Sequence, residues 1–275
     1  PTMFYGCHVD LSSVEVVKQG IVLLTPAESR RLIARAVAAL PEVQAAYTRG
    51  RIAIMSGGTT SFVLQELTGE KIEVPHFSMG MSADGLLTSS LEEGRVNGRV
   101  FVEGKRQDTP YPEFVKTMGR GDVIVKGANA IDTQGNAGVL LCNENGGAVG
   151  AFFGPATARG ISLIMPVGME KLVPSVPEAA FGWGQATLDY SMGERVSLAV
   201  LTNVRIVTEI QALAVLASVR ARVVSCGGIE GNEGAVVLLV EGAPAQFEKA
   251  LALIEGVKGE PAIRVPAHKF RAYEQ

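Results

Sequence analysis

The sequence predicts an α/β protein in which an open, mostly parallel sheet with helices on both faces is followed by a smaller ferredoxin-like α+β domain. Short apolar runs typical of buried strands alternate with amphipathic helical segments through the first two thirds of the chain, as in a parallel sheet covered on both sides. After about residue 195 the elements follow the order βαββαβ of a split ferredoxin-like unit. We therefore predict two domains, residues 1–195 and 196–275.

The first helix is predicted to begin after Thr25. The side chain of Thr25 suits a helix cap, Pro26 suits the first helical position, and Glu28 is placed to complete a capping box. The apolar residues that follow recur at helical spacing and predict a buried face; they are Leu32, Ile33, Ala36, Val37 and Leu40.

A strand–loop–helix unit is predicted next. Residues 51–55 read as a short buried strand, residues 56–61 (Ser-Gly-Gly-Thr-Thr-Ser) as a loop, and residues 62–67 as a helix. This order of elements is typical of loops that bind phosphate at the N-terminus of a helix.

A second unit completes the first domain. Its predicted elements are a strand at 122–125, a turn at 126–132, a polar glycine-rich patch at 133–147, a helix at 148–158 with Pro155 near its end, and a strand at 161–165. Residues 168–194 contain several prolines and glycines and predict an irregular crossover.

The second domain is predicted from a new series of elements. Thr208 and Gln211 form a capping box at the start of one helix, and another helix starts near Pro244. The strands are predicted at 196–201, 223–226, 235–240 and 262–265.

The composition excludes several classes of function. Hydrophobic residues make up 47% of the 275 residues and charged residues 19%, as in a folded globular protein. The formal net charge of −3 offers no basic surface for nucleic acid. Neither an apolar stretch of about 20 residues nor a signal sequence is recognisable. We therefore expect a cytoplasmic protein that binds neither nucleic acid nor membranes.

The cysteines and histidines predict no metal site. An odd number of cysteines without paired spacing argues against a disulfide framework and for a reducing compartment. The histidines lie far apart, and neither residue type forms a paired ligand motif. We expect no metal ion and no organic cofactor. The residues concerned are Cys7, Cys142, Cys226, His8, His76 and His268.

The loop at residues 56–61 is the first candidate site. Two adjacent glycines let a ligand approach the main chain, the following helix supplies unpaired amides, and the flanking hydroxyls add donors. These features predict a site for a phosphate or carboxylate, and the alternative is an ordinary turn that caps the helix. The loop lacks the lysine of a P-loop. The predicted binding residues are Ser56, Gly57, Gly58, Thr59, Thr60 and Ser61.

The turn after the strand at 122–125 is the second candidate, because ligands of open parallel sheets bind at the carboxyl ends of strands. Lys126 and Gly127 would contact an anionic ligand, Asn129 would orient a carbonyl or hydroxyl, and Asp132 would act as a base. The alternative is that Asn129 and Asp132 only hydrogen-bond their own loop.

Glu144 is a third candidate. It lies between two asparagines and is followed by a pair of glycines, which suits a nucleophile or general acid as well as a solvated turn.

Two of these motifs resemble the superfamily that joins ribose-5-phosphate isomerase, glucosamine-6-phosphate deaminase and coenzyme A transferases. Residues 55–61 look like the loop that holds the substrate phosphate in the isomerase and deaminase. Residues 122–132 with Gly135-Asn136 look like the strand and Gly-Ala-Asp turn of sugar-phosphate isomerases, and like the corresponding turn of coenzyme A transferases and lactate-utilisation domains. The resemblance spans roughly residues 25–175 and implies an α/β fold.

The resemblance also bears on single residues. Asn129 stands where the isomerases carry a catalytic aspartate, and Lys126 stands where ribose-5-phosphate isomerase has an acid. Residues 143–146 resemble the Ser-Glu-Asn-Gly run that contains the catalytic glutamate of coenzyme A transferases, although here the run follows the later turn. A role for Glu144 is implied by that likeness.

Three functions remain open at this stage. The first is an isomerase-like or transferase-like enzyme that acts on a small anionic metabolite, either a sugar phosphate or an acyl-coenzyme A. The second is a non-catalytic metabolite sensor with a C-terminal oligomerisation domain, and the third is an assembly module. Exposed sheet edges in the second domain predict a homo-oligomer.

Overall fold

The computed structural model describes residues 4–77, 80–83, 85–89, 96 and 98–264. The helices are α1 (Pro26–Ala39), α2 (Pro41–Arg49), α3 (Gly58–Thr68), α4 (Val74–Phe77), α5 (Tyr111–Thr117), α6 (Gly147–Arg159), α7 (Val176–Ala180), α8 (Glu209–Ala217) and α9 (Pro244–Glu255). The strands are β1 (Lys18–Leu24), β2 (Arg51–Ile54), β3 (Gly80–Ala83), β4 (Leu86–Ser89), β5 (Arg99–Val102), β6 (Lys105–Gln107), β7 (Val123–Val125), β8 (Ala130–Ile131), β9 (Ala137–Leu141), β10 (Ser162–Pro166), β11 (Ser197–Leu201), β12 (Arg205–Val207), β13 (Arg220–Cys226) and β14 (Val236–Gly242).

A six-stranded sheet forms the centre of the protein. Its strand order is β12-β10-β7-β2-β5-β6. The pairs β12–β10, β10–β7 and β7–β2 are parallel, whereas β5 and β6 are antiparallel additions at one edge. The predicted mixed α/β architecture with a mostly parallel sheet is therefore confirmed.

The central sheet carries an apolar core on each face. Ile52 and Ile54 of β2 pack into the core that contains the buried sides of α1, α3 and α8. Ala53 and Met55 pack into the other core, which contains buried residues of α5 and α6. Since successive strand residues point to opposite faces, helices cover the sheet on both sides.

Three smaller sheets surround the central one. Strand β9 pairs antiparallel with both β11 and β8, strands β3 and β4 form a hairpin, and β14 pairs antiparallel with both β1 and β13.

The predicted ferredoxin-like unit is not confirmed. Its first predicted strand, 196–201, forms β11 and pairs with β9, which lies in the region expected to be a polar patch. The predicted hairpin at 223–240 forms, but β1 from the start of the chain pairs with it. Residues 262–264 of the predicted last strand have no regular structure, and Val265 lies outside the described residues, as does His268.

The predicted domain boundary near residue 195 remains a prediction. Strands on both sides of it share sheets, since β12 pairs with β10 and β14 pairs with β1.

Local helix signals were predicted well. The Thr25 hydroxyl accepts a hydrogen bond from the Glu28 amide, and the Glu28 carboxylate accepts one from the Thr25 amide at 2.9 Å. Thr208 and Gln211 form the second predicted capping box. Helix α6 forms with Pro155 inside it. No helix in the described part of the chain is long and apolar enough to cross a membrane.

Candidate functional site

The carboxyl ends of three parallel strands meet at one edge of the central sheet. Ile54, Val125 and Ile164 occupy matching positions in β2, β7 and β10. The chain therefore leaves the sheet side by side at Ser56, at Lys126 and in the loop 167–171, which is where ligands of parallel sheets bind.

A cavity of about 210 Å³ opens at this edge. Its wall combines the ends of β2 and β7, the N-terminal residues of α3 and α6, the β3–β4 hairpin and the sheet that contains β9. The described wall residues are Ser56, Gly57, Gly58, Thr59, Gly80, Leu87, Thr88, Lys126, Gly127, Ala128, Asn129, Val139, Leu140, Leu141, Cys142, Asn143, Gly146, Gly147, Ala148, Val149, Lys171 and Val196.

Helix α3 supplies the first group of donors. Its first amides have no acceptor within the helix and belong to residues in or beside the cavity wall. The hydroxyl groups of Ser56 and Thr59 also lack a hydrogen-bond partner among the described residues, although these residues are only 8% and 6% exposed. Neither hydroxyl oxygen is itself fully buried, and both residues line the cavity, so the two hydroxyls are available to a ligand at this helix end.

Thr60 and Ser61 do not line the cavity. The Thr60 hydroxyl donates to the carbonyl of Gly57 at 3.0 Å, and the Ser61 hydroxyl donates to the carbonyl of Gly58 at 2.6 Å. Both residues are completely buried. Of the six predicted loop residues, these two stabilise the turn.

Helix α6 supplies a second group of donors on another side of the cavity. Its cap residue Gly146 has φ +77°, a left-handed conformation that favours glycine. The Asn143 side-chain oxygen accepts the amide of Asn145 at 2.9 Å, and the Asn143 carbonyl accepts the amide of Gly146 at 2.9 Å. This turn brings the unpaired first amides of α6 to the cavity.

Two lysines contribute the positive charge of the cavity. The ammonium group of Lys126 donates to the carbonyl of Gly127 at 3.3 Å, and that of Lys171 donates to the carbonyl of Ala128 at 3.0 Å. Among the described residues, neither forms a salt bridge. Burial, reinforced by the charge of Lys171, lowers the pKa of Lys126 to about 8, and burial also lowers the pKa of Lys171.

Asn129 is exposed and lines the cavity. Its side-chain oxygen accepts the amide of Leu140 at 3.0 Å. Its NH₂ group forms no hydrogen bond among the described residues and is free to donate into the cavity; the orienting role of Asn129 stays a prediction.

Asp132 lies away from the cavity and is 1% exposed. One carboxylate oxygen accepts the amides of Gln134 and Asn136, and the other accepts the Asn136 side chain and the amide of Val176. Burial raises the pKa of Asp132, but these hydrogen bonds outweigh it and lower the pKa below its usual value. The geometry matches the alternative in which Asp132 organises its own loop.

Glu144 is exposed and does not belong to the cavity wall. Its neighbour Cys142 does, but burial and then the Glu194 carboxylate raise the pKa of the Cys142 thiol to about 11. A protonated thiol is a weak nucleophile.

Two carboxylates, those of Glu170 and Glu209, lie close enough to Lys171 to affect its pKa. Glu209 is completely buried, and its carboxylate accepts the amide of Met169 at 3.0 Å. Burial and the nearby Glu170 raise the pKa of Glu209 to about 7. The negative charges of Glu170 and Glu209 favour the charged form of Lys171.

The polar groups of the described cavity wall are all cationic or neutral. None of its described residues is acidic, and its polar side is built from ammonium groups, amide NH₂ groups, hydroxyls and helix N-termini. The opposite side is apolar and includes Leu87, Val139 and Val196. The described residues contain no group of three or more His, Cys, Asp or Glu side chains that could hold a metal ion.

The structure brings seven of the eleven predicted site residues together and leaves Thr60, Ser61, Asp132 and Glu144 outside the wall. Sequence reasoning did not identify Lys171, Asn143 or the start of α6. The glycine pair 146–147 before a helix of small residues was the available signal for α6. Lys171 gave no local signal, because only the parallel pairing of β10 with β7 brings its loop to the site.

Comparison of the chain with protein-family models, with curated proteins and with solved structures found no match in any of the three.

Proposed function

We propose that the cavity binds a small anionic metabolite through a phosphate or carboxylate group. The observation that carries this proposal is the meeting of two helix N-termini and two lysines in one cavity whose described wall has no acidic residue. Each helix N-terminus carries a partial positive charge and unpaired amides. An anion would supply the missing acceptors and charge.

The size of the cavity favours a small ligand. A volume of about 210 Å³ is below the range of roughly 300–1,000 Å³ usual for drug-sized molecules. A sugar phosphate or a short acidic metabolite fits this volume, whereas an acyl-coenzyme A would place only its acyl end inside. The apolar wall would contact the uncharged part of the ligand.

We further propose that the protein is an enzyme, as the resemblance to sugar-phosphate isomerases and coenzyme A transferases implies. The groups in the described wall that suit chemistry are Lys126, Lys171 and Asn129. The second candidate, a non-catalytic sensor, is favoured by one observation: the two carboxylates expected to take part, Asp132 and Glu144, do not line the cavity.

The test of binding uses ribose 5-phosphate, inorganic phosphate and uncharged ribose. Binding to the native state raises the melting temperature by mass action. We expect a rise with ribose 5-phosphate and with phosphate, and none with ribose. In the double variant Lys126→Met/Lys171→Met the rise should disappear, whereas Lys105→Met, at an exposed site, should keep it.

Either of two results would contradict the anion site: no rise with phosphate compounds, or an unchanged rise in the double variant. Turnover distinguishes the enzyme from the sensor. Consumption or deuterium exchange of a bound sugar phosphate, followed by NMR, supports an enzyme, and binding without either supports a sensor.

We also propose a homo-oligomer that assembles through the three-stranded sheet. Strands β1 and β13 are its edges, and the side chains of Ile21 and Val224 are exposed on them at 63% and 53%. Light scattering during size-exclusion chromatography measures the mass directly, and a monomer at micromolar concentration would contradict the proposal.

A further inference from the structure

Lys126 differs from exposed lysines such as Lys105 because it is half-buried in the wall of the cavity. It follows the central strand β7, lines the cavity, and is half-buried beside a second cation, Lys171. No carboxylate among the described residues pairs with it, and its one hydrogen bond is long, at 3.3 Å to the Gly127 carbonyl. A cation in this position is costly, and loss of a proton relieves the cost.

The neutral amine that results is a nucleophile. With a pKa of about 8, roughly a quarter of Lys126 is uncharged at pH 7.5, compared with about one in a thousand for a lysine with an ordinary pKa. Desolvation and a neighbouring cation are the means by which proteins activate lysines toward carbonyl carbons.

We propose that the cavity takes a small aldehyde or ketone that carries an anionic group, and that Lys126 forms an imine with its carbonyl carbon. The N-termini of α3 and α6 hold the anionic group while the Lys126 amine attacks. This inference rests on the proposed function, because the anion site selects and positions the carbonyl compound.

The covalent step balances without a further reactant. The Nζ lone pair forms a bond to the carbonyl carbon, the C=O π electrons move to oxygen, and a proton passes from nitrogen to that oxygen. The resulting carbinolamine takes up one proton on its hydroxyl and expels water, which leaves a protonated imine. The proton taken up on the hydroxyl leaves with the water, and the nitrogen lone pair forms the C=N bond. The nitrogen keeps the second of its two amine hydrogens, so the positive charge now lies on the protonated imine.

The other nucleophilic groups of the wall fit this step less well. Burial and the charge of Arg30 lower the pKa of Lys171, but the nearby carboxylates of Glu170 and Glu209 oppose that shift, and its ammonium group donates to the Ala128 carbonyl at 3.0 Å. The Cys142 thiol remains protonated because of its raised pKa. Lys171 therefore acts as the fixed cation that keeps Lys126 reactive and attracts the anion.

The experiment traps the imine. The protein, residues 1–275, is incubated at pH 7.5 with glycolaldehyde phosphate and sodium cyanoborohydride, which reduces imines to stable amines. Peptide mass spectrometry measures the rate of modification at each lysine. We expect Lys126 to be modified at least about tenfold faster than the exposed Lys105 and Lys116, in keeping with its larger neutral fraction.

Uncharged glycolaldehyde is the matched probe. It lacks the phosphate, so the preference for Lys126 should fall to near that of an exposed lysine. In Lys126→Arg the fast modification should vanish, because a guanidinium group forms no imine under these conditions, whereas Lys105→Arg, at an exposed site, should leave the modification of Lys126 unchanged. Lys171→Met should slow modification of Lys126, because loss of the neighbouring cation raises the Lys126 pKa.

The outcomes separate this inference from the function on which it rests. If phosphate raises the melting temperature but Lys126 reacts no faster than Lys105, imine formation is wrong and anion binding stands. If Lys126 reacts equally fast with both probes, the anionic substrate class is wrong. If phosphate has no effect and Lys126 is unreactive, both proposals fail.

Discussion

Asp132 is a buried carboxylate whose oxygens accept four hydrogen bonds from the 134–136 turn and from the start of α7. We predict that Asp132→Asn lowers the free energy of unfolding by about 2 kcal/mol at pH 7, because an amide cannot accept all four. The folded-state pKa is depressed, so this contribution is fully present above the unfolded value near 3.8 and is lost as the pH falls.

Urea unfolding at pH 7 and at a pH well below 3.8 measures the Asp132 effect. The difference between the native protein and Asp132→Asn should shrink at the lower pH. Normal stability combined with a complete loss of turnover would show instead that Asp132 is the catalytic base that the sequence suggested.

Glu209 should show the opposite pH dependence. Its pKa is raised to about 7, so the folded state binds its proton more tightly than the unfolded chain does. The stability of the protein should therefore fall as the pH rises from about 4.5 through 7. We predict that Glu209→Gln stabilises the protein by about 2 kcal/mol at pH 8 and has little effect below pH 4.5.

Glu241 is the matched control for Glu209. It is also buried, but hydrogen bonds from Arg220 and from Gln19 lower its pKa. Glu241→Gln should destabilise the protein at pH 8. If Glu209→Gln also destabilises the protein at pH 8, the raised pKa of Glu209 is wrong.

At the scale of elements, the N-terminus of α6 depends on a glycine in its first turn. A Cβ atom at Gly150 would overlap the carbonyl oxygen of Asn145, whereas a Cβ at Gly154, one turn later on the same helix, would meet no atom within 4 Å. We predict that Gly150→Ala displaces the 143–146 turn and weakens phosphate binding about tenfold or more, equivalent to about 1.4 kcal/mol.

Gly154→Ala is the control for the same helix. Alanine favours helix formation over glycine by about 0.8–1 kcal/mol, so this variant should be more stable and should bind phosphate normally. Calorimetric titration with ribose 5-phosphate compares the two. Equal affinities would mean that α6 does not contribute to the anion site.

The elements differ in how far the sequence determines them. The helix starts at Thr25 and Thr208 were predictable because each capping box is complete within four residues. The two turns of the site were predictable because each follows a short buried strand directly. Strand β9, at 137–141, was missed because it begins with small residues and is fixed by pairing with β11, about sixty residues later.

At the scale of the whole molecule, pairing between distant segments explains why the predicted ferredoxin-like unit is not confirmed. Strand β1 has the sequence Lys-Gln-Gly-Ile-Val-Leu-Leu, and it pairs along its whole length with β14, more than 200 residues away. Nothing local to either strand specifies that partner. A βαββαβ order of elements therefore did not imply a ferredoxin-like sheet.

The same pairings make a specific prediction about truncation. A protein that ends at residue 195 loses β12 from the central sheet and β14 from beside β1, and it exposes the side of α1 that packs against α8. We predict that residues 1–195 do not fold cooperatively, as measured by calorimetry and by binding of a hydrophobic dye. The control is the chain of residues 1–275 with a protease site inserted after Gly231, in the exposed β13–β14 loop, and then cleaved. This nick leaves every strand in place, so the cleaved protein should keep its melting transition and its response to ribose 5-phosphate.

A sharp melting transition for residues 1–195 would instead establish the domain boundary at residue 195, and retained phosphate binding would locate the whole site within that first domain.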